Sequence, residues 1–369
     1  MRTRLMMVGV LVLLHLFIGV TLVGDLPFGP LGRGFGWLYL GVSMVLLPLG
    51  LRSSAGKRWL VWPGLLAMGI FSSLAVLSLM RAFVVAVADL LGWGSQGLAQ
   101  GSALVVLLAV GLFTLFGLLN ARRTARVVER DIRLEGLPPA LNGFRIVQLS
   151  DIHVGPTIRR GYLQAIVERT NRLEPDLIAI TGDLVDGSVE QLREHVAPLA
   201  GLEARHGSYI VTGNHEYYAG VGAWIMEFAR LGLPVLLNEH VRLRHDDADL
   251  VVAGITDYSA HHFEPTHRSD PTAALIGAPA HAPKILLAHQ PRSAAAAREA
   301  GFDLQLSGHT HGGQFWPWMH LVRWQQPWVA GLQRTGRLQV YISRGTGYWG
   351  PPLRFGAPSE ITLIRLIAA

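Results

Sequence analysis

The sequence predicts an all-α transmembrane domain followed by an α/β domain, and two observations lead to this fold class. Four apolar runs lie within residues 1–120, and most of them approach the roughly 20 residues that a helix needs to cross a bilayer. From Asn142 onward, short β-rich runs alternate with helical stretches, which is typical of an α/β domain whose sheet is covered on both faces. We therefore predict a transmembrane domain over 1–120, a basic juxtamembrane linker over 121–142 and an α/β domain over 143–369.

The apolar runs cover residues 5–23, 36–51, 60–79 and 102–119. The second run is the shortest and contains Pro48. The first run also has the character of a signal peptide, but no small-x-small cleavage site follows it, which favours an uncleaved anchor. We expect His15 to be a packed or interface-facing histidine rather than a functional intramembrane group, and we expect Arg81 and Asp89, near the end of the third run, to reach the membrane interface.

The placement of basic residues predicts how these spans are oriented, because cytoplasmic loops carry an excess of Lys and Arg. Basic clusters lie before the first run, between the second and third, and after the fourth, at Arg2, Arg4, Arg52, Lys57, Arg58, Arg122, Arg123, Arg126 and Arg130. The alternate loops offer only Arg33 and Arg81. If all four runs cross, every cluster falls on one side. This predicts a multi-pass protein of the inner (cytoplasmic) membrane whose N-terminus and α/β domain face the cytoplasm.

The charge balance and the lack of cysteine limit the function classes. Residues 1–130 contain eleven Lys and Arg against three Asp and Glu, so the rest of the chain is slightly acidic although the total charge is +6. An acidic domain disfavours nucleic-acid binding, and we expect none. Without cysteine there is neither a disulfide framework nor a thiolate metal site. Any metal must be held by His, Asp, Asn or Glu, which suits Mn, Fe, Mg or a His/carboxylate Zn site.

The elements of the α/β domain follow from the alternation of short apolar runs and amphipathic stretches. We predict helices over residues 160–173, 190–199 and 223–231. We predict strands over 144–149, 177–180, 209–211, 250–254, 285–288, 304–306, 339–342 and 361–366. Residues 257–283, rich in His, Pro, Ala and Ser, are predicted to form a loop insertion.

Polar side chains follow five of these strands. They are Asp151 and His153, Asp183 and Asp186, Asn214 and His215, His289, and His309 and His311. Each group alone is also explained by a turn or a helix cap. In open α/β folds, however, the carboxyl ends of the strands form the binding crevice, and neutral imidazole is the commonest metal ligand. Their joint arrival at one edge therefore predicts a metal site.

These residues occur in a recognisable order. The motifs are Asp-x-His, Gly-Asp-x-x-Asp, Gly-Asn-His-Glu, a single His and Gly-His-x-His, and together they resemble the calcineurin-like metallophosphoesterase superfamily over about residues 143–367. The last motif continues through Gly312 and Gly313 to Gln314, and this extension is similar to a membrane-associated branch of that superfamily, as is the later segment from Ser343 to Gly347. The sequence departs from that branch at Ser359, which separates Pro358 from Glu360 where a direct Pro-Glu pair is common. The resemblance implies a four-layer α/β/β/α sandwich.

The resemblance also implies a role for each residue. It implies two divalent metal ions (Mn, Fe or Zn) sharing Asp183, the first held also by Asp151, His153 and His311, and the second by Asn214, His289 and His309. A water bridging the two ions attacks phosphorus. His215 then supplies a proton to the leaving group. Asp186 orients His215 or a metal-bound histidine, with a helix cap as the alternative.

These inferences lead to a membrane-anchored, two-metal phosphoesterase as the first hypothesis. The anchor favours a lipid-linked phosphoester or diphosphate substrate, and cleavage of UDP-diacylglucosamine for lipid A is one known version in the family. A broad soluble phosphodiesterase and a non-catalytic, metal-bound sensor or scaffold are the alternatives. A transporter is disfavoured because the spans contain few polar residues.

The sequence offers one further hint about the substrate. An aromatic stretch follows the last motif, with Phe315, Trp316, Trp318, Trp324 and Trp328. It predicts either a lipid-facing lip or packing beneath a loop of the same domain. Arg323 and Arg334 either meet a phosphate headgroup or form part of a solvated face.

Overall fold

The computed structural model describes residues 2–52 and 58–369. It divides into two compact units, one comprising Met1–Leu119 with Gly350–Leu353 and the other Asn120–Trp349 with Arg354–Ala369. The predicted basic residue Lys57 lies outside the described residues.

The first unit is a bundle of long apolar helices. They are α1 (Arg2–Ile18, continued by a π-helical turn at Gly19–Val23), α2 (Pro30–Arg52), α3 (Arg58–Leu90) and α4 (Gln96–Arg122). Four helices are long and apolar enough to cross a membrane, which confirms the predicted number. All four extend beyond their apolar runs, α2, α3 and α4 by several residues. Pro30 opens α2 because proline is favoured at the first helical position, and α3 continues past residue 79 because no Gly or Pro interrupts it before Gly92.

Two of the buried polar side chains in this unit are ionisable, His15 and Arg81. His15 stacks on Phe71 with ring centroids 4.1 Å apart, and its Nε2 lies 2.9 Å from the Ser43 hydroxyl, as expected for a packed histidine. Arg81, in contrast, is buried inside α3, where it forms a 2.6 Å ion pair with Asp25. The α1–α2 connection supplies this anion, and the expectation that Arg81 reaches the membrane interface stays a prediction.

The second unit contains eleven strands in two mixed sheets. The first sheet has the order β1-β11-β2-β3-β4 and the second the order β5-β6-β7-β8-β10-β9. The strands are β1 (Arg126–Leu134), β2 (Arg145–Leu149), β3 (Leu177–Ile180), β4 (Ser208–Ile210), β5 (Glu239–His245), β6 (Ala248–Gly254), β7 (Lys284–Leu287), β8 (Leu304–Ser307), β9 (Gly331–Thr335), β10 (Leu338–Ile342) and β11 (Glu360–Ala368).

All eight predicted strands are present, and the three that sequence analysis missed are edge strands. β1, β5 and β9 each lie at the border of a sheet. Edge strands face solvent and carry charged side chains, so their sequences show little apolar signal. The predicted linker over 121–142 is therefore wrong in part. Residues 126–134 pair in parallel with β11, and Ile132 and Leu134 of that strand are buried.

Helices cover the outer faces of both sheets. The helices of this unit are α5 (Arg160–Asn171), α6 (Val189–Val196), α7 (Asn214–Tyr218), α8 (Val221–Arg230), α9 (Ala294–Ala300) and α10 (Trp318–Leu321), and α5, α6, α8 and α9 provide this cover. One apolar cluster joins α5, α6 and α8 to the first sheet, a second lies between the sheets, and a third joins the second sheet to α9. Successive residues of β2 alternate between clusters, with Ile146 facing the other sheet and Val147 facing the helices. The α/β/β/α layering is confirmed.

Candidate metal centre

The predicted site residues lie just beyond the carboxyl ends of five strands. β2, β3 and β4 run parallel to one another in the first sheet, and β7 and β8 run parallel in the second. The loop after each of these strands carries one predicted group. Parallel strands bring their carboxyl ends to one edge, so both sheets deliver ligands to one place.

Three of the predicted ligands form a first group. One donor atom from each of Asp151, His153 and His311 lies within 4.8 Å of the others, and all three residues are buried. Nε2 of His153 lies 3.0 Å from Nε2 of His311, which in turn lies 3.5 Å from an Asp151 carboxylate oxygen. Nitrogen and oxygen donors facing each other at these distances suit a divalent cation.

Asp183, His289 and His309 form a second group on the same 4.8 Å criterion. The Asp183 carboxylate lies 3.2 Å from Nε2 of His289, and the same oxygen lies 3.8 Å from Nε2 of His153 in the first group. Asp183 therefore stands between the two groups, as a shared ligand must. The buried Oδ1 atom of Asn214 has no hydrogen-bond partner among the described residues. An orphaned buried carbonyl oxygen fits the role of a cation ligand.

His215 and His153 share one carboxylate. Oδ1 of Asp186 accepts hydrogen bonds from Nδ1 of His215 at 2.6 Å and from Nδ1 of His153 at 2.9 Å. Because both Nδ1 atoms donate, the Nε2 atom of each ring is free to act at the centre. The alternative role of Asp186 as a helix cap is not seen, since Ser188 occupies the N-cap position of α6.

Charges in this cluster shift the pKa values of Asp186 and His215 in opposite directions. Burial raises the pKa of Asp186, but His153 and His215 outweigh it and lower that pKa to about 2. Burial lowers the pKa of His215, but the carboxylates of Asp183 and Asp186 outweigh it and raise that pKa to about 9. His215 is therefore protonated at neutral pH in the metal-free protein. Burial and the neighbouring His289 lower the pKa of His309 to about 3, which keeps it neutral and able to bind metal.

The backbone at the centre is held in an uncommon conformation. Asp151, His153, Asp183, His309 and His311 all have positive φ values between 51° and 70°. Such values are uncommon for residues other than glycine and gather at functional sites. Close packing adds to the constraint, because a Cβ atom on Gly308 would lie 1.9 Å from the hydroxyl of Ser150 and 2.1 Å from the carboxylate of Asp151.

Sequence analysis assigned no role to Glu216, although it ends the Gly-Asn-His-Glu motif. Its buried carboxyl group accepts hydrogen bonds from the backbone N–H groups of Gly213, Asp183 and Leu184 at 2.7, 3.0 and 2.7 Å. These contacts join the two loops that present Asp183 and Asn214. The position of Glu216 at the end of this motif was the sequence signal that could have indicated its role.

Arg354 had no signal at all, since it is a single arginine in a Pro- and Gly-rich stretch. It is fully buried, and its guanidinium donates to the carbonyl groups of His311 and Arg344 at 2.8 and 2.7 Å. Its Nη2 atom also lies 3.0 Å from Nδ1 of His311. Arg354 thus supports the loop of a first-group ligand.

The aromatic stretch gives a mixed result. Phe315 is buried and Trp328 packs against the apolar cluster of the second sheet, whereas Trp324 is 82% exposed. Arg334 pairs with Glu135 at 3.2 Å, and Arg323 is exposed, so both lie on a solvated face.

Comparison with known proteins agrees with this geometry. A family model described as calcineurin-like phosphoesterase matches residues 144–313. A Danio rerio protein named transmembrane protein with metallophosphoesterase domain is 40% identical over 282 residues, which cover 73% of this chain and 64% of that protein. An uncharacterized metallophosphoesterase of Aquifex aeolicus is 31% identical over 245 residues, which cover 65% of this chain and 91% of that protein. The solved structure of Haemophilus influenzae NAD nucleotidase has a TM-score of 0.39 at 16% identity, covering 56% of this chain and 50% of that chain.

The chain spans 64% of the length of the Danio rerio relative and of a Bos taurus relative that bears the same name. The family match contains every predicted ligand, together with His215 and Asp186. On this basis, the chain belongs to the calcineurin-like phosphoesterase family and carries four long apolar helices ahead of its phosphoesterase domain.

Proposed function

We propose that this protein is a membrane-anchored, two-metal phosphoesterase that hydrolyses a phosphoester or diphosphate bond of a lipid-linked substrate. One observation carries the proposal. Asp183 stands between two ligand groups, and His215, hydrogen-bonded to Asp186, lies beside it with its Nε2 atom 4.0 Å from the Asp183 carboxylate.

Each ligand group fits one ion. Asp151, His153 and His311 would hold the first and Asn214, His289 and His309 the second, with Asp183 shared between them. The donors are nitrogen and oxygen without sulfur, so Mn, Fe and Zn all suit them. When bound, the ions supply Lewis acidity and an activated water nucleophile.

The protein's own residues act on the leaving group. His215 carries a proton on Nε2, and the carboxylate of Asp186 accepts a hydrogen bond from Nδ1. This contact keeps the ring oriented and stabilises the imidazolium form. Transfer of the Nε2 proton to the departing oxygen removes the need to expel a free alkoxide.

The membrane location supports a lipid-linked substrate. The four apolar helices would anchor the chain, and relatives from two vertebrates are named transmembrane proteins. The basic clusters favour a cytoplasmic phosphoesterase domain at the inner membrane. Membrane lipid and a phosphoester substrate are the partners that this placement favours, and no nucleic acid is expected.

The test is hydrolysis by the full chain in lipid nanodiscs with Mn added. Bis(p-nitrophenyl) phosphate and a lipid diphosphate are the substrates, and metal content is measured alongside. We expect turnover of both substrates to be lost in Asp183→Ala and kept in His281→Ala, because His281 is an exposed histidine outside the ligand groups. His215→Ala should slow the lipid diphosphate more than bis(p-nitrophenyl) phosphate, whose nitrophenolate leaves readily as an anion. Metal binding without turnover of either substrate would refute the enzymatic proposal and favour a sensor or scaffold. Turnover of the soluble diester alone would refute the lipid-linked substrate.

A further inference from the structure

Three half-exposed aromatic side chains adjoin His215 or one another, and we call them the aromatic rim: Tyr218, Phe263 and Trp349. The rings of Tyr218 and Trp349 have centroids 5.2 and 5.7 Å from that of His215. Phe263 extends the rim, with its centroid 5.3 Å from that of Tyr218. Their exposed fractions are 60% for Tyr218, 52% for Phe263 and 47% for Trp349. Apolar side chains that gather on a surface beside a reactive group mark a binding site rather than a core.

The position of the rim relates it to one part of the substrate. This argument rests on the proposed function, in which His215 donates a proton to the leaving oxygen. That oxygen must come within about 2.6–3.2 Å of the donor. The first carbon atoms of the leaving group therefore lie beside the rings of Tyr218 and Trp349.

Gln314 holds one wall of the rim in place. Its side-chain amide donates from Nε2 to the carbonyl of Trp349 at 2.7 Å, and its Oε1 atom accepts from the N–H of Trp349 at 2.8 Å. The residue is buried, and it follows the ligand His311 by three positions. A two-point contact fixes backbone position more tightly than a single hydrogen bond, so the Gly-His-Thr-His-Gly-Gly-Gln motif positions an aromatic wall as well as two ligands.

The angles between the rings indicate which kind of group fits. Tyr218 and Phe263, two neighbouring rings of the rim, are inclined at 63° to each other, so they do not offer parallel faces. Trp349 and Tyr218 are inclined at 75° and 57° to the ring of His215. A flat base binds best between faces that lie parallel to it. Steeply inclined walls instead suit a flexible chain that bends along them.

We propose that the aromatic rim is the leaving-group subsite and that it selects substrates whose departing alcohol carries an apolar alkyl chain, as a lipid alcohol does. In the step concerned, the P–O bond to the alcohol breaks and the departing oxygen takes the Nε2 proton of His215. Water supplies the new oxygen on phosphorus, and a proton released from that water restores His215. The products are the phosphate (or, from a phosphonate ester, the phosphonate) and a neutral alcohol.

The test uses the full chain in nanodiscs with Mn and a series of n-alkyl esters of methylphosphonate, from methyl to hexyl. Each ester has a single leaving group, so its chain length reports on one subsite. Burial of each methylene in an apolar site is worth about a two- to fourfold gain in kcat/KM. We expect such a rise for the wild type and a much flatter series for Trp349→Ala and Tyr218→Ala.

Two further variants sharpen the result. Gln314→Glu keeps the size of the side chain but cannot donate to the carbonyl of Trp349, so we expect it to flatten the series as Trp349→Ala does. Trp324→Ala is the matched control, because this tryptophan is 82% exposed and makes no described ring contact with His215. It should keep the wild-type slope. Thermal unfolding of each variant separates loss of selectivity from loss of fold.

A slope that survives in both Trp349→Ala and Tyr218→Ala would overturn the proposal. A flat wild-type series would do the same, and so would a preference for a nucleoside ester over the hexyl ester. If no ester is hydrolysed, the proposed function is decided separately by turnover of the lipid diphosphate and bis(p-nitrophenyl) phosphate. The subsite is then decided by calorimetry with n-alkylphosphonates, whose P–C bond does not hydrolyse. Affinity that rises with chain length and falls in the rim variants would uphold the subsite, and affinity independent of chain length would refute it.

Discussion

Replacing Asp186 by Asn tests whether one carboxylate organises both a metal ligand and the proton donor. The variant keeps the shape of the side chain but removes the charge that accepts from His215 and His153 at 2.6 and 2.9 Å. The pKa of His215 rises from 6.5 to about 9 in this setting. A change of one in pKa corresponds to about 1.4 kcal/mol, so that rise is worth on the order of 3 kcal/mol. Asp183, Asp186 and Glu216 together produce this rise against the opposing effect of burial. For Asp186 we take about 1.5–2 kcal/mol, the lower part of the range for a hydrogen bond to a charged group.

This energy predicts a specific pattern in the rates. With Mn saturating, we expect kcat of Asp186→Asn to fall about 10- to 30-fold on an alkyl phosphodiester, whose leaving oxygen needs a proton. On bis(p-nitrophenyl) phosphate the fall should be much smaller, because nitrophenolate leaves readily as an anion. The affinity for Mn should also weaken, by about 10- to 100-fold, because His153 loses the partner that orients it.

The double variant Asp186→Asn/His215→Ala separates these effects. If Asp186 acts on the leaving group through His215, the double variant on the alkyl ester is no slower than His215→Ala at saturating Mn. Equal losses on both substrates, or fully additive losses in the double variant, would refute the assignment.

Three further predictions concern the two ligand groups and the Arg81–Asp25 ion pair. Asp183→Asn should lose both ions, whereas Asp151→Asn should lose one, because Asp183 lies beside both ligand groups and Asp151 belongs to one; equal Mn content in the two variants, measured by mass spectrometry, would contradict this. Burial lowers the pKa of His289, but Asp183 outweighs it and holds that pKa well above 6.5, so Mn must displace a proton and should bind more tightly as the pH rises; calorimetric heats that do not change between buffers of different ionisation enthalpy would exclude proton release. Asp25→Asn should cost about 3–5 kcal/mol of stability, because it leaves Arg81 buried without its anion. Arg81→Met should cost less, because Asp25 is partly exposed. Thermal unfolding in detergent that ranks the two variants in the opposite order would refute this account of the pair.

The predicted ligands could be found from the sequence because the signals are local. Asp151 with His153, and His309 with His311, lie two residues apart, and each group follows a short apolar strand. The central strands β2, β3, β7 and β8 could also be predicted from the sequence, because a strand buried on both faces needs a continuous run of apolar residues. The four long apolar helices were found from the length and composition of their apolar runs, because a bilayer of fixed thickness demands a minimum number of apolar residues.

Contacts between distant segments were beyond the sequence. Asp186 accepts from two histidines that lie 33 residues before it and 29 after it, and Gln314 contacts Trp349 across 35 residues. Arg354 reaches His311 across 43 residues. None of these pairs has a periodic pattern, because each depends on how loops meet after the sheets have formed.

The sequence by itself determined the number of membrane helices, the inner strands and the chemistry of the ligands, because each of these needs only a local run of residues of the right type. The tertiary structure alone decided that β1, β5 and β9 complete the sheets, that Arg81 is buried against Asp25 and that Tyr218 and Trp349 stand beside His215. Edge strands, buried ion pairs and aromatic walls depend on partners that chain folding brings together, and a polar or exposed residue carries no mark of its partner in the neighbouring sequence.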